Sequence, residues 1–327
     1  MAENNTLLTV NGLTVQYTSG GRVIHAVNGA SFSLERGKTL ALVGETGAGK
    51  TTIAKSILRI LPEPQGKITG GEIIYDGRDL LKLPVKEMRS IRGGRISMIF
   101  QDPMTALNPV INVGEQIADV IRKHQTLTDK PAIELAAEML ETVGIPGSRV
   151  KEYPHQFSGG MKQRVVIAIA LACKPELLLA DEPTTALDVT IQAQILEMIA
   201  ELRKNLTTAM ILITHDLGVV AETADTVAVV YAGEILEYAD KMDLFLHPSH
   251  PYTKGLFGAI PDISVNTRRL ANIKGLPPDP ADLPVGCCFS PRCPHATDQC
   301  RTVKPEMKEI RPGHFCKCPY ATESGGV

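Results

Sequence analysis

Gly44-Glu45-Thr46-Gly47-Ala48-Gly49-Lys50-Thr51 is a complete G-x-x-x-x-G-K-T phosphate loop. Its flanks suit it. Thr39-Leu40-Ala41-Leu42-Val43 before it is a short apolar run that reads as a buried strand, and Thr52 to Ile60 after it reads as a helix. The glycines let backbone N–H groups curl around a polyphosphate, and the helix N-terminus adds its partial positive charge. Lys50 is expected to reach the β- and γ-phosphates, and the Thr51 hydroxyl to ligate Mg²⁺. The expected ligand is a nucleoside triphosphate.

Outward from the loop, the first 35 residues alternate apolar and polar side chains at Leu7 to Val10, Leu13 to Tyr17 and Ala30 to Leu34. They read as antiparallel strands with turns at Gly20-Gly21 and Gly37. Further strands are expected at Glu72 to Tyr75, ended by Asp76-Gly77, and at Arg95 to Phe100, leading to Gln101. Residues 104–172 look helical, with apolar residues at helical spacing in Val113 to Lys123 and Pro131 to Val143. Ser158 caps a helix running through Arg164 to Ala172. Strands return at Leu177 to Asp181, Ala209 to Thr214 and Thr226 to Tyr231, with a helix from Val189 to Lys204 between the first two. Alternating strands and helices imply a mostly parallel sheet covered on both faces.

The 327 residues allow about two domains, and 43% hydrophobic residues allow a sizeable core. Aromatics are only 4% with no Trp, so that core is aliphatic. A net charge of −2 argues against a nucleic-acid binder, which usually carries a basic face. The first ten residues lack a basic start and long apolar stretch, and the longest apolar run, Val165 to Cys173, is about half of a membrane span. A soluble, cytoplasmic chain is expected, with any membrane role reached through partners. Six of the seven cysteines, Cys287, Cys288, Cys293, Cys300, Cys316 and Cys318, crowd into the tail, leaving Cys173 alone. In a cytoplasmic chain such clustering points to metal rather than disulfides.

Two further elements carry chemistry. Asp181-Glu182 ends an apolar strand, where Asp181 suits Mg²⁺, directly or through water, and Glu182 can polarise an attacking water. Alone, this would read as a solvated acidic pair. Ser158-Gly159-Gly160-Met161-Lys162-Gln163-Arg164 opens a helix with free N–H groups, a hydroxyl and the helix dipole, which makes a second anion site. One nucleotide seldom needs both anion sites from a single subunit.

The order of phosphate loop, Gln101, Ser158-Gly159-Gly160, Asp181-Glu182 and His215 resembles the ATPase subunit of an ATP-binding-cassette transporter, over about residues 5–240. The resemblance implies an α/β fold: a P-loop NTPase core of the RecA-like type, an N-terminal antiparallel β subdomain and an inserted helical subdomain at about 104–172. It implies that two cassettes pack head to tail, the Ser-Gly-Gly helix of one meeting the γ-phosphate held by the other. Tyr17 is then expected to stack on adenine, with a strand aromatic packed in the small sheet as the alternative. Gly44 to Thr51, with Thr52, hold the nucleotide. Gln101 contacts Mg²⁺ and water, and senses the membrane subunits. Ser158 and Gly160 bind the partner's γ-phosphate, Asp181 supports Mg²⁺, Glu182 is the general base and His215 contacts the γ-phosphate. Asp188, in Ala186-Leu187-Asp188, lies at the dimer seam. The family's Leu-Ser-Gly-Gly-Gln is altered here at Phe157 and Met161, and Met161 cannot donate an amide hydrogen bond to a ribose.

Past Tyr238, Pro and His become frequent, and Pro277, Pro278, Pro280 and Pro284 mark a stiff linker to the tail. Residues 1–240 are expected to form the cassette and 241–327 a C-terminal extension. The spacing Cys287-x5-Cys293-x6-Cys300-x17-Cys318 suits Zn²⁺ or an iron–sulfur cluster without deciding between them, and Cys288 and Cys316 remain alternative ligands. Gly286-Cys287, Pro291-Arg292-Cys293-Pro294 and His250-Pro251-Tyr252-Thr253 resemble the extension of dipeptide and oligopeptide importer ATPases, to which some nickel importers are similar. That resemblance implies a [4Fe–4S] cluster on Cys287, Cys293, Cys300 and Cys318. It also implies a second, related cassette, two membrane permeases and an external binding protein, with the chain peripheral on the cytoplasmic face of the membrane. A soluble cassette protein acting on ribosomes or nucleic acid is the competing class. It would usually show two cassettes in one chain or a long coiled-coil insertion.

Overall fold

A computed structural model describes residues 5–184, 188–258 and 273–322. In chain order the elements are β1 (Thr6–Ser19), β2 (Arg22–Glu35), β3 (Thr39–Val43), α1 (Lys50–Ile57), β4 (Gly66–Tyr75), β5 (Arg78–Asp79), α2 (Val85–Ile91) and β6 (Ile96–Ile99). There follow α3 (Pro103–Ala106), α4 (Val113–His124), α5 (Asp129–Thr142), α6 (Gly159–Leu171), β7 (Leu177–Asp181), α7 (Val189–Leu206), β8 (Ala209–Thr214) and α8 (Leu217–Thr223). The last are β9 (Thr226–Tyr231), β10 (Glu234–Asp240), α9 (Lys241–Leu246), α10 (Pro251–Phe257), α11 (Asp298–Thr302), β11 (Lys308–Arg311) and β12 (His314–Cys316). Among the described residues no helix is long and apolar enough to cross a membrane.

Contacts divide the chain into two compact units that do not follow chain order. One holds Met1–Asn5, Glu35–Lys38 and Lys82–Leu212; the other holds Thr6–Leu34, Thr39–Leu81 and Ile213–Val327.

In the second unit, a four-stranded antiparallel sheet runs β2-β1-β4-β5. The alternation read in the first 35 residues lengthens here into two 14-residue strands. β1 pairs with β4 from Leu8 opposite Tyr75 to Tyr17 opposite Gly66, with an irregularity between Asn11 and Val15. β4 starts earlier than its apolar pattern suggests, because Gly70-Gly71 sits inside it. Gly71 has φ 90°, and a Cβ there would press on the Asn11 and Gly12 backbone. Close backbone approach, not side-chain pattern, defines that stretch.

The same unit carries β3 parallel to β9, with Leu40 opposite Thr226 and Val43 opposite Val229. All five residues of β3 are buried, as a strand covered on both faces requires. β10 then turns back antiparallel to β9 and also pairs with β12, which pairs with β11. The Cys-rich tail therefore extends the sheet that bears the phosphate loop. Its Cys287, Cys288, Phe289 and Cys300 share one apolar core with Ala41, Val43, Val229 and Tyr231.

In the first unit β6 and β7 are parallel, Ile96 opposite Leu177. Their starts are joined by a forked ion pair, Arg95 Nε to Glu176 Oε1 at 2.7 Å and Nη2 to Oε2 at 3.0 Å. The helical stretch between them is built from α4, α5 and α6. Asn112 caps α4 by accepting from Glu115 N, and Val113, Ile117, Ala118 and Ile121 form its buried stripe at helical spacing.

Candidate functional site

The phosphate loop leaves β3 at Gly44 and enters α1 at Lys50. Gly44, Gly47 and Gly49 have φ of 151°, 82° and 104°, a region that L side chains rarely adopt. Two of them also have no room for a Cβ. At Gly44 it would run into the Val230 carbonyl, and at Gly49 into the carbonyl of Ala26. The loop is thus clamped between β9 and β2 by backbone contact. Lys50 is 5% exposed, and its ammonium donates to Gly44 O at 2.6 Å and Glu45 O at 2.9 Å. The loop arches around that charge. Ala48 N donates to Glu45 O at 3.2 Å, and Gly233 N to Ala48 O at 2.9 Å. Thr51 and Thr52 lie in the first turn of α1, with Thr52 Oγ1 3.5 Å from the Tyr17 hydroxyl. The Tyr17 ring is half-buried and packs beside Gly66, where a Cβ would lie 2.7 Å from Tyr17 Cε1. Tyr17 thus packs within the small sheet while its hydroxyl lies beside the first turn of α1.

His215 follows the buried strand β8 and is exposed. Asp216 beside it caps α8, accepting from Gly218 N at 2.9 Å and Val219 N at 3.3 Å. This cap fixes the backbone that presents His215.

In the first unit, Asp181 is the last residue of β7 and is 2% exposed. Glu182 turns away from the strand with φ 46°. Such a conformation in a non-glycine residue is uncommon and clusters at functional positions. Gln101 Nε2 donates to Glu182 Oε2 at 2.9 Å, so the structure brings together these two expected site residues, 81 positions apart. Gln163 Nε2 donates to Pro183 O at 2.6 Å and ties α6 to the same turn. Ser158 caps α6, its Oγ accepting from Met161 N at 3.4 Å. At Gly160 a Cβ would lie 2.9 Å from Ile191 Cγ2, so α6 approaches α7 closely there. The two altered residues, Phe157 and Met161, share a neighbour: the Arg149 guanidinium lies 4.4 Å from the Phe157 ring centroid and 3.5 Å from Met161 Sδ. Arg149 is itself held by Glu152. Asp188 is exposed at the start of α7. Ala186 and Leu187 lie outside the described residues.

The tail brings Cys287, Cys293, Cys300 and Cys318 to one small cavity of about 20 Å³, closed by Phe289, Pro319 and Tyr320. Cys287 N donates to Cys300 O at 2.8 Å. Gly286 permits this approach, since a Cβ there would strike the backbone of Cys300 and Arg301. Burial pushes the Cys287 thiol up to about 11, with the neighbouring Cys300, Cys318 and Cys293 adding to it. Burial also raises Cys293 and Cys318, again with support from the neighbouring thiols. Cys288 and Cys316 do not line this cavity. Cys288 packs with Sγ towards Tyr231 O at 3.9 Å, and Cys316 is buried in β12 opposite Glu237. Among the described residues no three or more His, Cys, Asp or Glu side chains converge tightly enough for a single metal ion.

Sequence reasoning missed the tail's grip on the phosphate loop. Arg292 forks onto Glu45, Nη1 to Oε2 at 2.7 Å and Nη2 to Oε1 at 3.0 Å. Glu45 N donates to the Tyr252 hydroxyl at 3.0 Å. The available signal was Glu45 itself, because a carboxylate within an anion-binding loop calls for a compensating cation.

Residues 27–185 match the ABC transporter family model, and residues 236–300 match the model described as oligopeptide/dipeptide transporter, C-terminal region. The chain is 50% identical to the dipeptide transport ATP-binding protein DppD of Bacillus subtilis (strain 168) over 314 residues, 95% of this chain and 94% of that one. It is 46% identical to the oligopeptide transport ATP-binding protein OppD of Escherichia coli (strain K12) over 95% of this chain and 92% of that one. Among solved structures, a dimeric post-hydrolysis state of the ATP-binding cassette MJ0796 bound to ADP and Pi superposes with a TM-score of 0.64 at 26% identity. The match covers 72% of this chain and 99% of that one.

Proposed function

The chain belongs to the ATP-binding-cassette transporter ATPases, and from that premise we propose that it is the ATP-hydrolysing subunit of a peptide importer. The observation that carries the reading is full-length similarity. The cassette and the oligopeptide/dipeptide transporter C-terminal region occur together, and relatives named for dipeptide and oligopeptide transport match along nearly the whole chain. This favours peptides over nickel as the solute, and transport over ribosomes or nucleic acid.

The chain's residues would divide the work as follows. Residues 1–240 act as the cassette and 241–327 as its extension. Gly44 to Thr51 and Lys50 in particular grip the triphosphate, and Tyr17 offers its ring to the adenine. The Thr51 hydroxyl, the Gln101 amide and the Asp181 carboxylate are oxygen donors of the kind Mg²⁺ takes; when bound, that ion neutralises phosphate charge. Glu182 takes the water's proton as general base, and the Gln101 hydrogen bond holds its carboxylate in one orientation. His215 contacts the γ-phosphate. Ser158 and Gly160 cap the γ-phosphate of a second cassette, with Asp188 at the seam. Two permeases and an external binding protein complete the complex, with this subunit on the cytoplasmic face.

The four cavity-lining thiols suit a [4Fe–4S] cluster better than a single Zn²⁺. Cys287, Cys293, Cys300 and Cys318 would hold such a cluster as its four thiolate ligands. Burial holds Cys287, Cys293 and Cys318 as neutral thiols, which would give up their protons on taking up a cluster. In protein isolated without oxygen, Cys300→Ser should lose iron and labile sulfide, whereas Cys288→Ser should keep both. Equal iron in the two variants would remove the assignment.

For the function, the chain is co-expressed with a second cassette and two peptide-importer permeases and reconstituted in vesicles. ATP hydrolysis should rise when a peptide-loaded binding protein is added outside. Stimulation by a nickel-loaded binding protein and not by peptide would replace the reading.

A further inference from the structure

Glu45 is held at each of its polar groups. Its carboxylate takes the Arg292 fork, its N–H donates to Tyr252, and its carbonyl accepts from Lys50 and from Ala48 N. It is therefore the fixed post from which Thr46, Gly47 and Ala48 arch.

The holding groups come from the extension and are themselves held. The Arg292 side chain is 5% exposed, and its remaining donors go to the Tyr231 hydroxyl at 3.2 Å, Ile273 O at 3.3 Å and Lys274 O at 3.1 Å. Tyr252 is fully buried, with its ring centroid 4.6 Å from that of Tyr231 and 5.4 Å from that of Phe289. Phe289 meets Tyr231 edge-on at 5.4 Å. The backbone turn that positions Arg292 also positions Cys293, since both N–H groups donate to Phe289 O at 3.0 Å. The Cys-rich turn and the phosphate loop are joined through one rigid aromatic block.

We propose that Arg292 and Tyr252 are positioning residues of the phosphate loop, so that the Cys-rich extension sets the loop's affinity for the nucleotide polyphosphate. Arg292 does this in two ways. It fixes the Glu45 side chain, and it cancels a negative charge that would otherwise stand beside a polyanion. A buried forked pair suits both tasks, because Lys cannot reproduce the planar fork. The inference rests on the reading that Gly44 to Thr51 binds ATP.

The charge argument separates this role from simple stapling of the tail. The full chain is titrated with a fluorescent ATP, 2′/3′-O-(N-methylanthraniloyl)-ATP, and iron content and thermal midpoint are measured on the same samples. Arg292→Gln leaves the Glu45 carboxylate uncompensated and should weaken nucleotide binding on the order of tenfold. Adding Glu45→Gln removes the repelling charge and should bring affinity back to within about threefold of the parent. A staple lost at one end would not be restored by removing the other. Tyr252→Phe, a gentler change that serves if Arg292→Gln folds poorly, should weaken binding about threefold by releasing Glu45 N. Arg22→Gln is the control: it breaks an exposed ion pair to Asp279 on the same extension and should leave affinity unchanged.

Parent-like affinity in both Arg292→Gln and Tyr252→Phe, or a double variant as weak as Arg292→Gln alone, would overturn the inference while leaving the ATPase reading intact. Failure of the parent chain to bind the nucleotide at all would overturn that reading, and this inference with it.

Discussion

Gly49→Ala should damage the phosphate loop more than any ordinary glycine-to-alanine change. Two terms add at this position. The backbone has φ 104°, outside the regions open to alanine, which costs about 1–2 kcal/mol. The added methyl also drives into the Ala26 carbonyl and comes within 3.4 Å of Gly233 Cα, both of them backbone. Neither neighbour is a flexible side-chain end that can swing aside, so the loop or β2 must shift. Overpacking of this kind costs about 1–3 kcal/mol more.

Gly20→Ala separates the two terms. Gly20 has φ 56° in the β1–β2 turn, with nothing within 4 Å of a Cβ. It should show the conformational term alone, about 1–2 kcal/mol. Denaturant unfolding of the nucleotide-free chains gives the stability of each. Nucleotide titration should add a binding loss on the order of a hundredfold for Gly49→Ala, because the displaced segment is the N-terminus of α1, and little for Gly20→Ala. If the two variants lose equal stability, and Gly49→Ala binds nucleotide like the parent, then backbone clamping does not set the loop and the steric account fails.

Glu182→Gln should keep ATP binding and lower steady-state hydrolysis by a factor of about 10² or more, since an amide cannot take the water's proton; phosphate release measures it, and a small loss would place the base elsewhere. His314 makes a pH prediction. Burial alone would lower its imidazole, but hydrogen bonds to Glu237 and Asp243 outweigh it and hold the pKa above the ordinary 6.5. The stabilisation it gives is complete below the unfolded value and is lost as pH rises through the raised one. The unfolding midpoint of the parent should therefore fall as pH climbs above about 6.5, and His314→Gln should flatten that slope. Gly286→Ala should separate Cys287 from Cys300, and iron per chain in anaerobic preparations should drop well below the parent's.

Much of the architecture was legible because its signals are local. The runs Thr39–Val43, Leu177–Asp181, Ala209–Thr214 and Thr226–Tyr231 are short, apolar and bounded by turn residues, and each forms a strand with those ends. Ser158 was readable as a cap from its two glycines and the apolar helix behind it. Only the end of β4, Glu72 to Tyr75, was readable; its first half, through Gly70-Gly71, was not, since glycine carries no periodicity to detect. The tail's strands β11 and β12 were missed because they are four and three residues long and gain their order from β10.

The sequence by itself determined the ligand class, because a phosphate loop is written in eight consecutive residues, and it offered the strand-end acidic pair and the Ser-Gly-Gly helix start as candidates because each is equally local. Tertiary structure alone decided how the tail bears on the loop. Arg292 and Glu45 meet across 247 positions of chain, and no periodicity or spacing encodes a partner at that range. It likewise gathered Cys287, Cys293, Cys300 and Cys318, the four that the resemblance implied and the spacing left open, around one cavity, since which thiols meet depends on how the chain folds back, with Gly286 against Cys300.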